Sequence, residues 1–182
     1  MRILLYTTNF YGGGAQKITV NLANYYASKK NDVCILVSSS DGPYKHQISK
    51  EVQIIDLGDK RSNKSIFKIP KFIKYYKPDY IISNMRISNI IMGLSLYLFI
   101  NNSRIIFLEA NTMTSLKYSF FMKRLFYKFF MNIAYRKCSV VIANSKDTLS
   151  DLKDFLFIKI NIKLLGNPVI DENFKINKNF NY

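Results

Sequence analysis

The chain has 182 residues, of which 48% are hydrophobic, and it includes 14 Phe and 13 Tyr. This length and composition supply the core of one sizeable domain and exclude a largely disordered chain. The formal net charge of +15 favours an anionic partner, such as nucleic acid, a membrane surface or an acidic substrate, unless it only reflects a chain rich in Lys, Asn and Ile.

The two cysteines, Cys34 and Cys138, lie far apart in apolar runs, a spacing that fits neither metal ligands nor a disulfide framework. We interpret both as buried thiols of a reducing compartment and predict no metal site. The amino terminus shows no secretory signal. The most apolar later run, residues 89–100, is shorter than the roughly 20 residues that a membrane span needs. The chain is therefore predicted to be cytoplasmic, and soluble or peripheral to the inner face of the plasma membrane.

The predicted elements alternate between short apolar strands and amphipathic helices. Residues 3–8 form a continuous apolar run, typical of a strand buried on both faces of a parallel sheet. A glycine loop at residues 12–14 follows, and then a helix over residues 15–29. Further strands are predicted over residues 32–38, 51–57, 79–83, 103–108, 139–143 and 160–165, and further helices over residues 66–76, 89–100 and 115–136. Ser145 is predicted to cap a last helix that ends near residue 157.

Strands and helices that alternate with short connections predict an α/β fold built on a single Rossmann-like, doubly wound parallel sheet. Residues 1–170 are assigned to this one domain. The remaining residues, 171–182, are polar and aperiodic and are interpreted as a polar tail or the start of a continuation.

The glycine loop, made of Gly12, Gly13 and Gly14, is suited to an oxygen-rich ligand. Glycine permits positive φ and close backbone approach, and the following helix amino terminus favours anions. The loop lacks the G-x-G-x-x-G spacing of a dinucleotide site, so a plain tight turn remains an alternative.

Polar residues follow three of the predicted strands, on the same sheet edge as the glycine loop, where open α/β sheets bind ligands. They are Asn84 and Arg86 after the fourth strand, Glu109 and Asn111 after the fifth, and Asn144 and Ser145 after the sixth. Such side chains are predicted to bind a hydroxyl-rich substrate, although Asn and Ser after strands also cap turns and helices. Glu109 is the one candidate for a catalytic base, and it lacks the paired carboxylate of a glycoside hydrolase.

The predicted helix over residues 115–136 is basic and aromatic, and no acidic residue occurs between Asn111 and Lys146. Its basic residues include Lys117, Lys123, Arg124 and Lys128. Lys117, Arg124 and Lys128 fall on one helical stripe, and a broad opposite apolar face is formed by Met122, Leu125, Phe126, Phe129 and Ile133. Such a helix either lies on anionic lipid or binds a lipid-linked acceptor, or packs on the core with a solvated basic side. No nucleic-acid-binding signature is present, so nucleic acid is not predicted as a partner.

The order of these pieces resembles the N-terminal, acceptor-side half of a GT-B glycosyltransferase in the family 4 group of retaining enzymes. The resemblance covers about residues 1–172. The matching pieces are MRILLYTTNFYGGGAQKITVNLANYYASKKNDVCILV, KYYKPDYIISNMRISN, RIIFLEANT, CSVVIANSKDTLSDL and IKLLGNPVID. The resemblance implies transfer of a sugar from a nucleotide-sugar to a glycan or lipid-linked acceptor, without an obligatory metal, in the biosynthesis of cell-surface polysaccharide or glycoconjugates.

Two departures from the family pattern bear on activity. Family members carry a second Rossmann-like domain that binds the nucleotide-sugar, and this chain is expected to stop where that domain begins. A nucleotide-sugar donor is therefore expected only with a second domain, for example one supplied in trans, and the chain alone is expected to be inactive. Where the family often has a catalytic histidine, this sequence has Ala110. The alternative hypothesis is a non-catalytic binding or scaffolding module on a membrane surface.

Overall fold

The computed structural model describes residues 1–59, 61–110, 112 and 121–166. Within them, seven parallel strands form one sheet in the order β3-β2-β1-β4-β5-β6-β7. The strands are β1 (Arg2–Thr7), β2 (Asp32–Val37), β3 (Gln53–Asp56), β4 (Tyr80–Asn84), β5 (Arg104–Glu109), β6 (Val140–Ala143) and β7 (Ile162–Leu164). This strand order confirms the predicted Rossmann-like, doubly wound sheet.

Five α-helices connect the strands in the described residues. They are α1 (Gly14–Ser28), α2 (Ser65–Tyr76), α3 (Arg86–Ser95), α4 (Phe121–Ala134) and α5 (Lys146–Phe155). Short 3-10 helices occur at Pro43–Gln47, Ser62–Lys64 and Tyr135–Lys137. Ser145 caps α5 as predicted, since its side chain accepts a hydrogen bond from the Thr148 N–H at 3.1 Å.

The strands are apolar on both sides because both faces of the sheet are packed. On one face Leu4, Ile81 and Phe107 join a cluster that includes side chains of α2, α3, α4 and α5. On the other face, which we call the α1 face, Leu5 and Ile82 join a cluster with side chains of α1. Continuous apolar runs, rather than alternation, are the pattern that two packed faces require.

The third helix begins and ends earlier than the predicted span of residues 89–100. α3 begins at Arg86, directly after Met85, which has a positive φ of 81° and reverses the chain at the end of β4. It ends at Ser95, and Ile100 is 96% exposed. Leu96 is still buried in the core, whereas Tyr97, Leu98 and Ile100 are exposed, so the predicted buried helix does not extend to residue 100.

Most of the broad apolar face predicted for α4 is exposed, although the helix does pack on the core through Tyr127, Phe130, Met131 and Ala134. Phe121, Met122, Leu125, Phe126 and Phe129 are each more than half exposed. The buried side of the described helix consists of Met131 and Ala134. Apolar residues occur all round α4, and so their spacing does not determine which side is buried. The predicted residues 115–120 lie outside the described part of the chain.

The two cysteines differ in burial. Cys34 is fully buried as predicted, whereas Cys138 is only half-buried, because it follows the 3-10 helix at the start of β6. Burial raises the pKa of each thiol to about 12. Both are therefore protonated at neutral pH and poor nucleophiles.

Candidate active site

A cleft of about 330 Å³ opens at the carboxyl ends of β4, β5 and β6. Asn84, Glu109 and Asn144 line it together with Ala110, and apolar side chains of α1 and of the sheet line the rest. Asn84 and Glu109 are the last residues of β4 and β5, Asn144 follows β6, and the parallel register places the strand ends side by side. The structure thus brings together three of the polar side chains that the sequence predicts for this edge.

Glu109 is the most buried charged residue of the cleft, with 1% of its surface exposed. Its Oε1 accepts hydrogen bonds from the Tyr135 hydroxyl and from Asn89 Nδ2, the latter at 2.9 Å. Burial raises the pKa of the Glu109 carboxyl, against the lowering effects of the nearby Arg86 guanidinium and of these two hydrogen bonds. The Oε2 atom has no hydrogen-bond partner among the described residues.

Asn84 connects the cleft to the start of α1. Its Nδ2 donates to the carbonyl oxygen of Ala15 at 2.7 Å, and the side chain is buried. Its Oδ1 has no partner within the part of the chain that the structure describes. A buried polar atom without a partner is costly unless water or a ligand satisfies it. Asn84 therefore lines the cleft as a buried amide whose oxygen has no partner among the described residues.

The side chains of Asn144 and Ser145 make hydrogen bonds to other residues of the protein. Asn144 Nδ2 donates to the Ala110 carbonyl oxygen at 3.0 Å, and its Oδ1 accepts from the Thr148 hydroxyl at 3.0 Å. Ser145 is the cap of α5. For Ser145 the capping alternative is the one that the structure supports, and Asn144 contributes to the shape of the cleft.

Arg86 lies at the first position of α3, next to the Glu109 cluster. Its Nη2 donates to the Thr112 carbonyl oxygen at 3.2 Å, and its guanidinium carbon lies 5.7 Å from the centroid of the Tyr127 ring. The positive charge of Arg86 favours the ionised form of Glu109 and so lowers its pKa. Desolvation of the buried carboxyl has the larger effect, and the pKa of Glu109 is raised.

The glycine loop differs from its prediction in one respect. Gly12, Gly13 and Gly14 are exposed, and the positive φ expected for the loop is absent, since Gly13 has an extended φ of 163°. A Cβ at Gly12 or Gly14 would meet no atom within 4 Å. The loop lies at the same sheet edge as the cleft but does not line it. Open space above the glycines leaves room for a ligand.

The described basic residues of α4 differ in their exposure. Lys123 and Arg124 are exposed, whereas Lys128 is half-buried with its Nζ 3.9 Å from the centroid of the Phe157 ring. Two predicted contact residues, Asn111 and Lys117, lie outside the described residues. The membrane-facing role predicted for this helix therefore concerns Lys123 and Arg124.

Asn89 and Tyr135 were missed by the sequence reasoning, although they fix the orientation of Glu109. Each is fully buried, Asn89 on α3 and Tyr135 just after α4. The sequence did contain one signal, which is the amide of Asn89 in an otherwise apolar predicted helix. A buried polar side chain needs a hydrogen-bond partner, so this amide predicts a polar contact inside the core.

The cleft carries side chains that can hydrogen-bond sugar hydroxyls. Asn84, Glu109 and Asn144 line it with their amide and carboxyl groups. A carboxyl with a raised pKa keeps its proton to a higher pH than an ordinary glutamate, which suits a hydrogen-bond donor or a general acid. In the described ranges, no three His, Cys, Asp or Glu side chains gather as metal ligands.

The sequence profile of Glycosyltransferase Family 4 matches residues 12–173, most of the chain. The chain belongs to Glycosyltransferase Family 4. The family assignment agrees with the resemblance carried by the opening strand–glycine–helix unit and the later strand–helix units. A search of the curated proteins found no match.

Solved GT-B structures share the fold of this family 4 chain. Anabaena Alr3699/HepE in complex with UDP and glucose has a TM-score of 0.69 at 16% identity, over 92% of this chain and 44% of that one. Sucrose-phosphate synthase from Thermosynechococcus elongatus has a TM-score of 0.71 at 12% identity, over 91% and 47%. The apo lipopolysaccharide outer core galactosyltransferase WaaB has a TM-score of 0.66 at 14% identity, over 93% and 46%.

The family 4 chain thus spans a little under half the length of these solved structures. At such low identities the likeness concerns the fold, which is one half of a GT-B arrangement. Among the helices of the described residues, none has both the length and the apolar character needed to cross a bilayer.

Proposed function

We propose that these residues form the acceptor-binding side of a retaining glycosyltransferase. The enzyme would move a sugar from a nucleotide-sugar to a glycan or lipid-linked acceptor in cell-surface polysaccharide or glycoconjugate biosynthesis. The observation that carries the proposal is the cleft at the carboxyl edge, which Asn84, Glu109 and Asn144 line. Membership in Glycosyltransferase Family 4 supports the same reaction class.

The donor side is proposed to come from another polypeptide segment. Ala110 lines the cleft at the position where the family often has histidine, and an alanine supplies no catalytic base. The chain matches a little under half the length of the solved GT-B structures. The nucleotide-sugar is therefore assigned to a second domain, and the 182 residues alone are expected not to turn over.

Blocking the cleft should abolish saccharide binding. In Ala110→Trp, the indole fills the space between the ends of β5 and β6, and we expect saccharide affinity to fall by at least about tenfold. Saturation-transfer NMR with a panel of oligosaccharides of the kinds found in cell-surface glycans measures the binding. Tyr75→Trp is the matched control, because Tyr75 is 86% exposed on α2, far from the cleft. Equal saccharide signals from both variants would show that the cleft is not the acceptor site.

A second proposed role is contact with an anionic membrane through α4. Phe121, Met122 and Phe126 expose large apolar surface beside Lys123 and Arg124. Exposed apolar surface of this size marks an interaction site, and flanking basic residues favour anionic lipid headgroups. Membrane contact through α4 would suit a lipid-linked acceptor.

Charge reversal on α4 should weaken vesicle binding. Because each basic residue near an anionic surface contributes about 1 kcal/mol, Lys123→Glu with Arg124→Glu should lower the partition coefficient by more than about tenfold. Co-sedimentation with phosphatidylglycerol-containing and pure phosphatidylcholine vesicles measures it. Lys71→Glu with Lys74→Glu makes the same charge change on the exposed side of α2. An equal loss in this control would assign the binding to net charge rather than to α4.

A further inference from the structure

A second cavity, of about 630 Å³, opens at the edge of the sheet opposite to the cleft. It lies between the end of α2, the first residues of β1 and β4, and the segment that leads from α3 to β5, and we call it the amino-edge pocket. β1 runs from this edge to the cleft edge, so roughly 17 Å of sheet separates the two cavities. The amino-edge pocket shares no described lining residue with the cleft and is a separate site.

The charged lining of the amino-edge pocket is mainly basic. Arg2, Lys74 and Lys77 line it, together with one carboxylate, that of Asp79. The Asp79 Oδ2 accepts a hydrogen bond from the backbone N–H of Arg2 at 2.7 Å. Three basic side chains and one carboxylate give the lining a net charge of +2. A cavity with an excess of one charge concentrates ligands of the opposite charge.

The end of α2 does not account for these basic residues. Lysine and arginine near the C-terminus of a helix often satisfy its last carbonyl groups. Here the carbonyl oxygen of Ile73 accepts from the backbone N–H of Lys77 at 2.8 Å, and that of Tyr76 accepts from Arg2 Nη1 at 3.1 Å. Within the described residues, the side chains of Lys74 and Lys77 form no hydrogen bond and no ion pair. Both ammonium groups are therefore available to a ligand.

Asn101 adds a neutral donor to the amino-edge pocket. Its Oδ1 accepts from the Ser103 N–H at 2.9 Å, which leaves Nδ2 as the part of the amide available to a ligand. The Ser103 hydroxyl donates to the Pro78 carbonyl oxygen at 2.6 Å and so fixes this segment beside the start of β4. Apart from the Asp79 carboxylate and the Asn102 amide, the side-chain groups that remain for a ligand are donors. Their complement is an oxyanion with several acceptor oxygens, as a phosphoryl group has.

An apolar wall lies beside these donors. Ile73 and Pro78 are buried and Phe99 is half-buried, whereas Ile100 is 96% exposed. An isoleucine this exposed contributes little to the core, and its apolar surface leaves water when a ligand covers it. The volume of the amino-edge pocket lies within the range of about 300–1,000 Å³ that is typical of small-molecule sites. The pocket thus offers both a place for an anionic group and a place for an apolar body.

We propose that the amino-edge pocket binds a small organic phosphate. Its phosphoryl oxygens lie against Lys74, Lys77 and Arg2, and its apolar body lies against Phe99 and Ile100. The distance from the cleft places this ligand out of reach of the acceptor, so the site goes beyond the proposed function and does not depend on it.

Methyl NMR on the full chain, labelled at isoleucine, tests the amino-edge pocket with phenyl phosphate as the probe. We expect shifts at Ile73 and Ile100, and none at Ile106 and Ile142, which line the cleft. Inorganic phosphate lacks the apolar body and should bind at least about tenfold more weakly. Benzyl alcohol lacks the anionic group and should shift neither pocket methyl group at the same concentration.

Matched variants separate the amino-edge pocket from the net charge of the chain. Lys74→Glu should lower the affinity for phenyl phosphate at least about tenfold. Lys71→Glu makes the same charge change at an exposed residue of α2 outside the pocket, and should leave the affinity within about twofold because solvent and salt screen it. Asn101→Asp keeps the oxygen that accepts from Ser103 and replaces the amide donor by a charged oxygen, so it should also lower the affinity at least about tenfold.

Three results would overturn the proposal. The first is that phenyl phosphate shifts neither Ile73 nor Ile100. The second is an equal loss in Lys71→Glu and Lys74→Glu, which would assign the binding to net charge. The third is that a glutamate-rich peptide or phosphatidic acid vesicles shift the pocket methyl groups while soluble phosphates do not, which would assign the pocket to a protein partner or to a membrane. A blank saccharide titration would count against the proposed function alone.

Discussion

Gly93→Ala is expected to destabilise the protein by about 3 kcal/mol, the upper end of the cost of overpacking a core. A Cβ at Gly93 would lie 2.5 Å from the Ala134 carbonyl oxygen and 2.7 Å from the Ala134 Cβ. Non-bonded carbon contacts are normally about 3.5 Å or longer, so α3 and α4 must move apart. The gain in helix propensity, about 1 kcal/mol, does not compensate. For a domain of this size the melting temperature should fall by about 6–12 °C.

Urea unfolding and thermal melting of Gly93→Ala measure this effect, and Gly14→Ala is the matched control. An alanine Cβ at Gly14 meets no atom within 4 Å, so the control should remain within about 0.5 kcal/mol of the parent protein. A parent-like Gly93→Ala would contradict the close α3–α4 packing. Because Asn89 lies on α3 and Tyr135 follows α4, the same separation should disturb the hydrogen bonds that orient Glu109.

Glu109→Gln is expected to be as stable as the parent protein at pH 4 and more stable at pH 7. Burial raises the pKa of the folded-state carboxyl above its unfolded value. The stability that Glu109 contributes is therefore fully present below the unfolded pKa and is lost as the pH rises through the folded pKa. A glutamine keeps an oxygen that accepts from Tyr135 and Asn89 and carries no charge. The stability of Glu109→Gln relative to the parent protein should therefore rise as the pH rises from 4 to 7.

Urea unfolding of the parent protein and of Glu109→Gln from pH 4 to pH 8 measures this effect. The other titratable groups contribute equally to the unfolding free energy of both proteins, so the difference between the two reports Glu109 alone. Tyr135→Phe should cost about 1–2 kcal/mol at pH 4, where Glu109 is neutral, because it removes a buried hydrogen bond. A Glu109→Gln difference that stays constant with pH would show that the folded state does not shift the pKa of Glu109.

The sheet could be predicted from the sequence because its strands are short, apolar and separated by clear breaks. A strand that is buried on both faces can be identified from its continuous apolar run alone, without knowing which elements pack on it. The predicted strand over residues 3–8 differs from β1 by one residue at each end. The cap at Ser145 followed from a local rule for helix starts. The family resemblance followed from the order of these local units.

The rest depends on contacts between distant residues. Glu109, Asn89 and Tyr135 come together only because β5, α3 and the segment after α4 pack against one another. In α4, Phe126 and Phe129 look as apolar as Met131, and only the tertiary structure shows that Met131 is buried and the other two are exposed.

The central claim is that these residues bind the acceptor and leave the nucleotide-sugar to a second domain. The test of this claim uses the full chain mixed with UDP-, GDP- and CMP-sugars, oligosaccharides and anionic vesicles. Mass spectrometry detects any transfer products, and ligand-observed NMR detects which of the compounds bind. We predict saccharide signals that Ala110→Trp removes, together with unconsumed nucleotide-sugars that give no binding signal. Consumption or tight binding of a nucleotide-sugar by the chain alone would contradict the account.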